Sequence, residues 1–198
     1  MRYLIGIDEA GRGPLAGPVA VGAVMVPQDF SFNILTGIRD SKQLTMLQRE
    51  EWYERLRALR REGALNFAVA FSSAATIDRH GIVPSIYRAL CRALEKLEAT
   101  DVCEIRLDGG LRAPGRFNLQ KTIIRGDESE PVISLASIAA KVMRDRLMVR
   151  LASRFPAYAF DSHKGYGTTQ HRETIAQFGL SEVHRASFCS RILLEPSP

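Results

Sequence analysis

The apolar run Leu4-Ile5-Gly6-Ile7 ends in two adjacent carboxylates, Asp8 and Glu9, and then in Ala10-Gly11-Arg12-Gly13-Pro14. Two neighbouring anions at the tip of a buried strand repel each other and are costly to desolvate, so the placement makes sense if a cation sits there. On a regular strand successive side chains point to opposite faces, so Asp8 and Glu9 share a ligand only where the strand ends and the chain curls. Gly11, Gly13 and Pro14 permit such a curl. Both side chains offer hard oxygens, which suit Mg²⁺ or Mn²⁺ better than zinc. Taken alone, the pair reads equally well as an ordinary polar loop after a strand.

The chain has 198 residues, 45% hydrophobic and 25% charged, enough for a packed core and too apolar for disorder. The net charge of +5 is compatible with a polyanionic partner. No apolar stretch is long enough to span a bilayer, and the N-terminus lacks a cleavable-signal pattern. Cys91, Cys103 and Cys189 are odd in number and lack metal-ligand spacing, as expected of reduced thiols in a cytoplasmic protein.

Along the chain, Leu4–Asp8 and the valine-rich run Val19–Val26 read as strands. Asp29–Ser41 reads as loop. A helix is expected from Thr45, where Thr45 and Gln48 match a capping box, to Gly63. Leu65–Phe71 is strand-like, Pro84–Ala99 helical, and Glu104–Leu107 and Asn118–Ile124 are short strands. A long helix is expected from about Val132 to Phe155, its first half rich in small residues that suit close packing on a sheet. Pro156 stops it, and a last helix starts at Thr168 or Thr169 and ends at Gly179. The order implies an α/β class: a mixed β-sheet flanked by helices. One domain, 1–198, is expected, with a sheet-and-helix core over about 1–155 and a C-terminal helical extension over about 156–198.

Two more carboxylates repeat the placement of Asp8. Asp108 ends a strand before Gly109-Gly110, and Asp127 is expected to end another directly after Gly126. Each alone is an ordinary turn residue; together, strand-end carboxylates in an α/β sheet favour a metal site. Four carboxylates can hold two divalent ions, the arrangement used for phosphodiester hydrolysis, in which no protein nucleophile is required. A nucleophile elbow, an HExxH motif and a P-loop are all absent.

The segment Gly6-Ile7-Asp8-Glu9-Ala10-Gly11-Arg12-Gly13-Pro14-Leu15-Ala16-Gly17-Pro18-Val19 resembles the opening signature of type 2 ribonuclease H, the ribonuclease HII family. Colinear matches follow at Asp40-Ser41-Lys42-Gln43-Leu44, Leu107-Asp108-Gly109, Gly126-Asp127, Ala136-Ser137-Ile138-Ala139-Ala140-Lys141-Val142 with Arg144-Asp145, His163-Lys164-Gly165-Tyr166-Gly167-Thr168, and His184-Arg185 with Ser187-Phe188. The resemblance implies a ribonuclease H-like fold and a metal-dependent endonuclease that cuts 5′ of a ribonucleotide, in RNA/DNA hybrids and at ribonucleotides embedded in DNA. The products would be a 3′ hydroxyl and a 5′ phosphate. By motif position Asp8, Glu9, Asp108 and Asp127 take the catalytic and metal-ligand roles, with Mg²⁺ or Mn²⁺ as cofactor. Asp145, a rival fourth carboxylate, lies inside a helix between two arginines and reads as a structural ion-pair residue.

Telling RNA from DNA requires a hydrogen bond to the 2′-hydroxyl. The resemblance gives that task to Gly11, Arg12 and Gly13, whose bare backbone can approach a sugar, and has Tyr166 pack on the neighbouring deoxyribose. Arg12 is equally a plain phosphate contact, and Tyr166, without the resemblance, a half-buried aromatic in a loop. Lys42 and Lys164 are candidate phosphate ligands whose ordinary reading is a solvated lysine. His163 and His184 read as structural. Where the family often has Pro, Gly167 stands, which loosens the loop around Tyr166. A monomer is expected. The competing readings are the sister type, ribonuclease HIII, whose extra N-terminal domain has no room before Gly6, and a non-catalytic nucleic-acid-binding module. Four anions facing phosphates argue against the second.

Overall fold

The computed structural model describes residues 2–35, 38 and 44–194. Five strands form one sheet: β1 (Tyr3–Ala10), β2 (Val19–Pro27), β3 (Asn66–Ser72), β4 (Glu104–Asp108) and β5 (Gln120–Ile123), in the order β3-β2-β1-β4-β5. β1–β2 and β2–β3 are antiparallel, while β1–β4 and β4–β5 are parallel. The β1–β4 pairing positions the site. Its last partners are Ile7 and Leu107, so Asp8 and Asp108 lie side by side just past the end of this pairing, each still bonded to its outer neighbour strand.

Helices cover both faces. They are α1 (Met46–Arg61), α2 (Ala74–His80), α3 (Ile82–Lys96), α4 (Gly126–Ser129), α5 (Pro131–Arg154), α6 (Phe160–His163), α7 (Thr169–Phe178) and α8 (Ala186–Leu194). On β1, Ile5 and Ile7 pack beneath α3 residues such as Leu90 and Leu94. Leu4, on the opposite face, packs with Val132, Ile133 and Ala136 of α5. The small residues of α5 let its backbone approach the sheet. A Cβ on Gly6 would lie 2.3 Å from the Val132 carbonyl oxygen, and one on Gly22 would lie 2.2 Å from that of Ala136. The C-terminal elements α6–α8 form their own cluster, in which Phe160, Ile175 and Cys189 pack with Met148 of α5 and with Leu15 and Ala16.

The Thr45 capping box is complete, with Gln48 N–H donating to Thr45 Oγ1 at 3.3 Å and Thr45 N–H donating to Gln48 Oε1 at 2.8 Å. Five expectations change. The stretch read as loop contains a 3₁₀ turn, Phe32–Leu35. Strand β1 runs on through Glu9 and Ala10, which pair with Val21 and Ala20, so there is no curl between Asp8 and Glu9. Helix α2, capped by Ser73, precedes α3; it buries little besides Ile77, too weak a stripe to read from sequence. Helix α8 follows Gly179, with its first N–H groups held by Asp78 from more than a hundred residues earlier (Ala186 N–H at 2.9 Å and Ser187 N–H at 3.0 Å). Asp127 does not end a strand. β5 stops at Ile123, Arg125 turns left-handed at φ 53°, and Asp127 sits in the one-turn helix α4.

Candidate active site

Asp8, Glu9 and Asp108 line one cavity of about 430 Å³, together with Gly11, Arg12, Gly13, Arg49, Ser137, Lys141 and Tyr166. Because β1 stays regular, Asp8 continues the Leu4–Gly6 face toward α5 and Glu9 continues the Ile5–Ile7 face. Both still reach the cavity, which opens beyond the end of the shorter neighbour β4. Asp8 is 5% exposed, and its carboxyl is pushed up to about 8 by burial, with the charges of Glu9 and Asp108 adding and a Ser137 hydrogen bond opposing. Burial also raises Glu9, opposed by Arg12, whose Nη1 lies 2.9 Å from Glu9 Oε1. Asp108 Oδ1 accepts the Gly126 N–H at 2.7 Å and the Asp127 N–H at 3.4 Å.

Among the described residues no three acidic, histidine or cysteine side chains form a ready metal cage. The reason is electrostatic. Each of the three carboxylates is turned to a protein donor that offsets the like charges beside it: Asp8 to Ser137 and the Glu9 N–H, Glu9 to Arg12, and Asp108 to the Gly126 N–H. A buried carboxyl held near 8 beside two more carboxylates is a donor set that suits a hard divalent ion. Asp127 is fully buried behind Asp108 and is not on the cavity wall. Asp145 is also off the wall, and its Oδ1 pairs with Lys141 Nζ at 2.9 Å.

The Gly11–Pro18 turn is held from inside by two arginines that are 0% exposed. Arg185 donates to the carbonyls of Gly11 (2.6 Å), Arg12 (2.9 Å) and Gly17 (2.9 Å). Arg144 donates to those of Pro18 (3.0 Å), Ala16 (3.3 Å) and Lys164 (3.1 Å). Gly11 has φ +88°, and a Cβ there would lie 1.9 Å from Arg144 Nε. Nothing stands within 4 Å of a Cβ built on Gly13, so its backbone is bare to the cavity.

Tyr166 is 42% exposed on the cavity wall, with Lys141 Nζ and Arg144 Cζ each 5.8 Å from its ring centre. Lys164 is not on that wall. It lines a neighbouring groove, and its Nζ donates to the carbonyls of Asp161 and Ser162. Lys42 lies outside the described residues.

Behind Tyr166 the imidazoles form a chain with one consistent set of tautomers. Ser181 N–H donates to His184 Nδ1 (2.9 Å), so the His184 proton is on Nε2 and points to His171 Nε2 (3.0 Å). His171 Nδ1–H then donates to the Tyr166 carbonyl (2.9 Å). Gly165 N–H likewise donates to His163 Nδ1, and His163 Nε2 reaches the Tyr158 carbonyl at 2.7 Å. Burial lowers all three, His184 to about 4. His163, His171 and His184 thus tie together the backbone at Tyr158, Gly165, Tyr166 and Ser181. The unfolded chain takes up these protons near pH 6.5 while the folded His184 resists until about 4. The contribution of His184 to stability is thus fullest above pH 6.5 and is lost as pH falls from there toward 4, by about 2 kcal/mol at pH 5, while the raised Asp8 works in the opposite direction over the same range. His184→Gln is expected to change the melting temperature, relative to wild type, in a way that favours the variant increasingly from pH 7 to pH 5, because it removes this loss; a difference between the two that does not move with pH contradicts this.

Residues beyond the expected set are Arg144, Arg185, His171, Ser137, Lys141 and Arg49. All but His171 and Arg49 stand in the colinear motifs, which was the available signal. His171 is a polar residue on a helix, and Arg49 one of many arginines on α1.

The architecture is that of a ribonuclease H-like α/β fold. The solved PCNA:RNase HII complex from Archaeoglobus fulgidus contains a chain that matches at a TM-score of 0.79 over 100% of this chain and 98% of that one, at 24% identity. Bst-RNase HIII, solved in complex with Mn²⁺, matches at a TM-score of 0.69 and 18% identity over 98% of this chain and 70% of that one. Ribonuclease HII of Caldicellulosiruptor saccharolyticus is 41% identical over 97% of this chain and 89% of its own. The family model Ribonuclease HII matches residues 5–191, so the chain belongs to the ribonuclease HII family and is a ribonuclease H enzyme.

Proposed function

We propose that this chain hydrolyses the phosphodiester 5′ of a ribonucleotide, in RNA/DNA hybrids and at single ribonucleotides in duplex DNA, leaving a 3′ hydroxyl and a 5′ phosphate. The observation that carries the reading is the shared cavity of Asp8, Glu9 and Asp108 beside the bare backbone of Gly11–Gly13 and the ring of Tyr166. Asp8 and Asp108 would hold a divalent ion, Mg²⁺ or Mn²⁺. Glu9 would be a further ligand in place of its pairing with Arg12, and Asp127, buried behind Asp108, would be the fourth carboxylate only if it turns out toward the cavity. When bound there, such ions would supply an activated water and stabilisation of the leaving oxygen.

The chain's own groups do the rest. The backbone at Gly11–Gly13 reads the 2′-hydroxyl, with Arg12, once free of Glu9, on a phosphate. Tyr166 packs on the deoxyribose that follows the ribonucleotide, and Lys42 and Lys164 contact phosphates farther along. The protein acts as a cytoplasmic monomer. Among the described residues no helix is long and apolar enough to cross a membrane.

The direct test is a cleavage assay on duplex DNA carrying one ribonucleotide, with and without added divalent metal. Cutting 5′ of the ribonucleotide is expected with metal, and none after chelation. Cleavage of long RNA/DNA hybrids alone would assign the chain a ribonuclease HIII-like activity instead. Binding without scission under all metals would leave a non-catalytic module.

A further inference from the structure

A furrow adjoins the active-site cavity at Arg12. Arg12 lines both the carboxylate cavity and an adjoining pocket of about 100 Å³ between α3 and the segment after β4. That pocket shares Tyr87 and Arg112 with a shallower one of about 610 Å³, which runs out over Phe117 and Asn118. The shared residues make the three hollows neighbours along one surface. Tyr87 is 45% exposed, and Arg112 and Arg116 are also exposed. The Arg116 guanidinium lies 4.9 Å from the centre of the Phe117 ring.

The residues lining the two pockets beyond the carboxylate cavity include Arg12 and Arg112 and no Asp or Glu. No Asp or Glu occurs from Arg79 to Leu94 or from Gly109 to Gly126, while Arg79, Arg88, Arg92, Arg112, Arg116, Lys121 and Arg125 do. The chain carries 22 acidic residues in 198, so an even spread would put about four of them in these two segments. Arginines beside the exposed Tyr87 ring, with no carboxylate on the pocket walls and a nuclease cavity adjoining at Arg12, match a nucleic-acid backbone in charge.

We propose that the furrow lined by Tyr87 and Arg112, with Arg116 beside it near Tyr87 and Phe117, holds one flank of the substrate duplex, beyond the scissile phosphate, through phosphate contacts from the two arginines. The proposal rests on the nuclease reading of the neighbouring cavity and extends its substrate footprint in one direction only.

The test is equilibrium binding in EDTA to a labelled DNA duplex with one central ribonucleotide. Three forms are compared: both arms long, one arm cut to a stub, and the other arm cut to a stub. The variant is Arg112→Glu with Arg116→Glu, and the control for net charge is Arg2→Glu with Arg154→Glu, two exposed sites off the furrow. On the long duplex the furrow variant is expected to bind about tenfold more weakly, with a logarithmic salt slope shallower by about 1.8, as two lost phosphate contacts require. Shortening one particular arm is expected to erase the difference, and shortening the other to preserve it. Binding equal to wild type, an equal loss in the charge control, or a loss that survives the removal of either arm would overturn the proposal. Both arginines are exposed, so the wild-type melting temperature is expected. Should the variant melt early, Arg112→Gln with Arg116→Gln replaces it with the same three duplexes. A wild-type protein that binds with this asymmetry but never cuts with Mg²⁺ or Mn²⁺ would refute the nuclease reading and leave the furrow standing.

Discussion

Asp8→Asn is expected to abolish cleavage, by about 10³-fold or more, while leaving duplex binding within a few-fold and raising the melting temperature of the metal-free protein. The three effects share one cause. The Asp8 carboxyl is 5% exposed, held up near 8, and faces Glu9 and Asp108 across the cavity. Without a divalent ion, its negative form is desolvated and repelled, which costs stability. Asparagine has nearly the same shape, keeps an oxygen for the Glu9 N–H, and carries no charge. A gain of about 1 kcal/mol, or roughly 2–4 °C for a chain of this size, is a modest expectation for removing it. The same change removes a hard oxygen ligand, so added Mg²⁺ or Mn²⁺ should raise the melting temperature of the wild type but not of the variant. Thermal melts with and without metal, beside a cleavage assay, check all three. A variant that melts earlier than wild type without metal, yet gains as much from it, would show that Asp8 is a structural carboxylate.

The sheet and its principal helices were legible because each has strong local chemistry. The β-branched runs of β1 and β2, the complete box at Thr45 and the small-residue half of α5 all state their roles within a few residues. What was not legible depends on partners far away in the chain. Helix α8 starts where Asp78 accepts its first N–H groups, a tertiary cap with no trace near Ala186. Asp127 looked like a strand end because Gly126 precedes it. The chain had already left the sheet at Ile123, and a left-handed Arg125 turns Gly126 toward Asp108. The three wall carboxylates were legible because an acid at the tip of an apolar strand is costly unless a cation meets it. The buried arginines escaped a role because arginine is ordinarily a surface residue, and only the fold shows Arg144 and Arg185 reaching backbone carbonyls of the turn beyond β1.

Those arginines carry the other large expected effect. Arg185→Met is expected to lower stability by about 3 kcal/mol or more and to reduce cleavage of a single embedded ribonucleotide more than it weakens duplex binding. The guanidinium spans three carbonyls of one turn, at Gly11, Arg12 and Gly17. Methionine fills similar volume and leaves those oxygens buried without their donors. Burial already lowers Arg185 to about 9, with the nearby charge of Arg144 adding, so its charge is costly in this setting and is retained for its geometry. Lysine offers one ammonium where the site uses a rigid fork, so Arg185→Lys should recover only a minor part of either loss. Because Gly11–Gly13 borders the carboxylates, a slackened turn loses the alignment of its backbone with the ribose and not the charge that draws the duplex in. Denaturant unfolding with kcat and KM on a single-ribonucleotide duplex reads both effects. Full rescue by lysine, or a melting temperature unchanged in Arg185→Met, would mean that the turn keeps its shape without the fork.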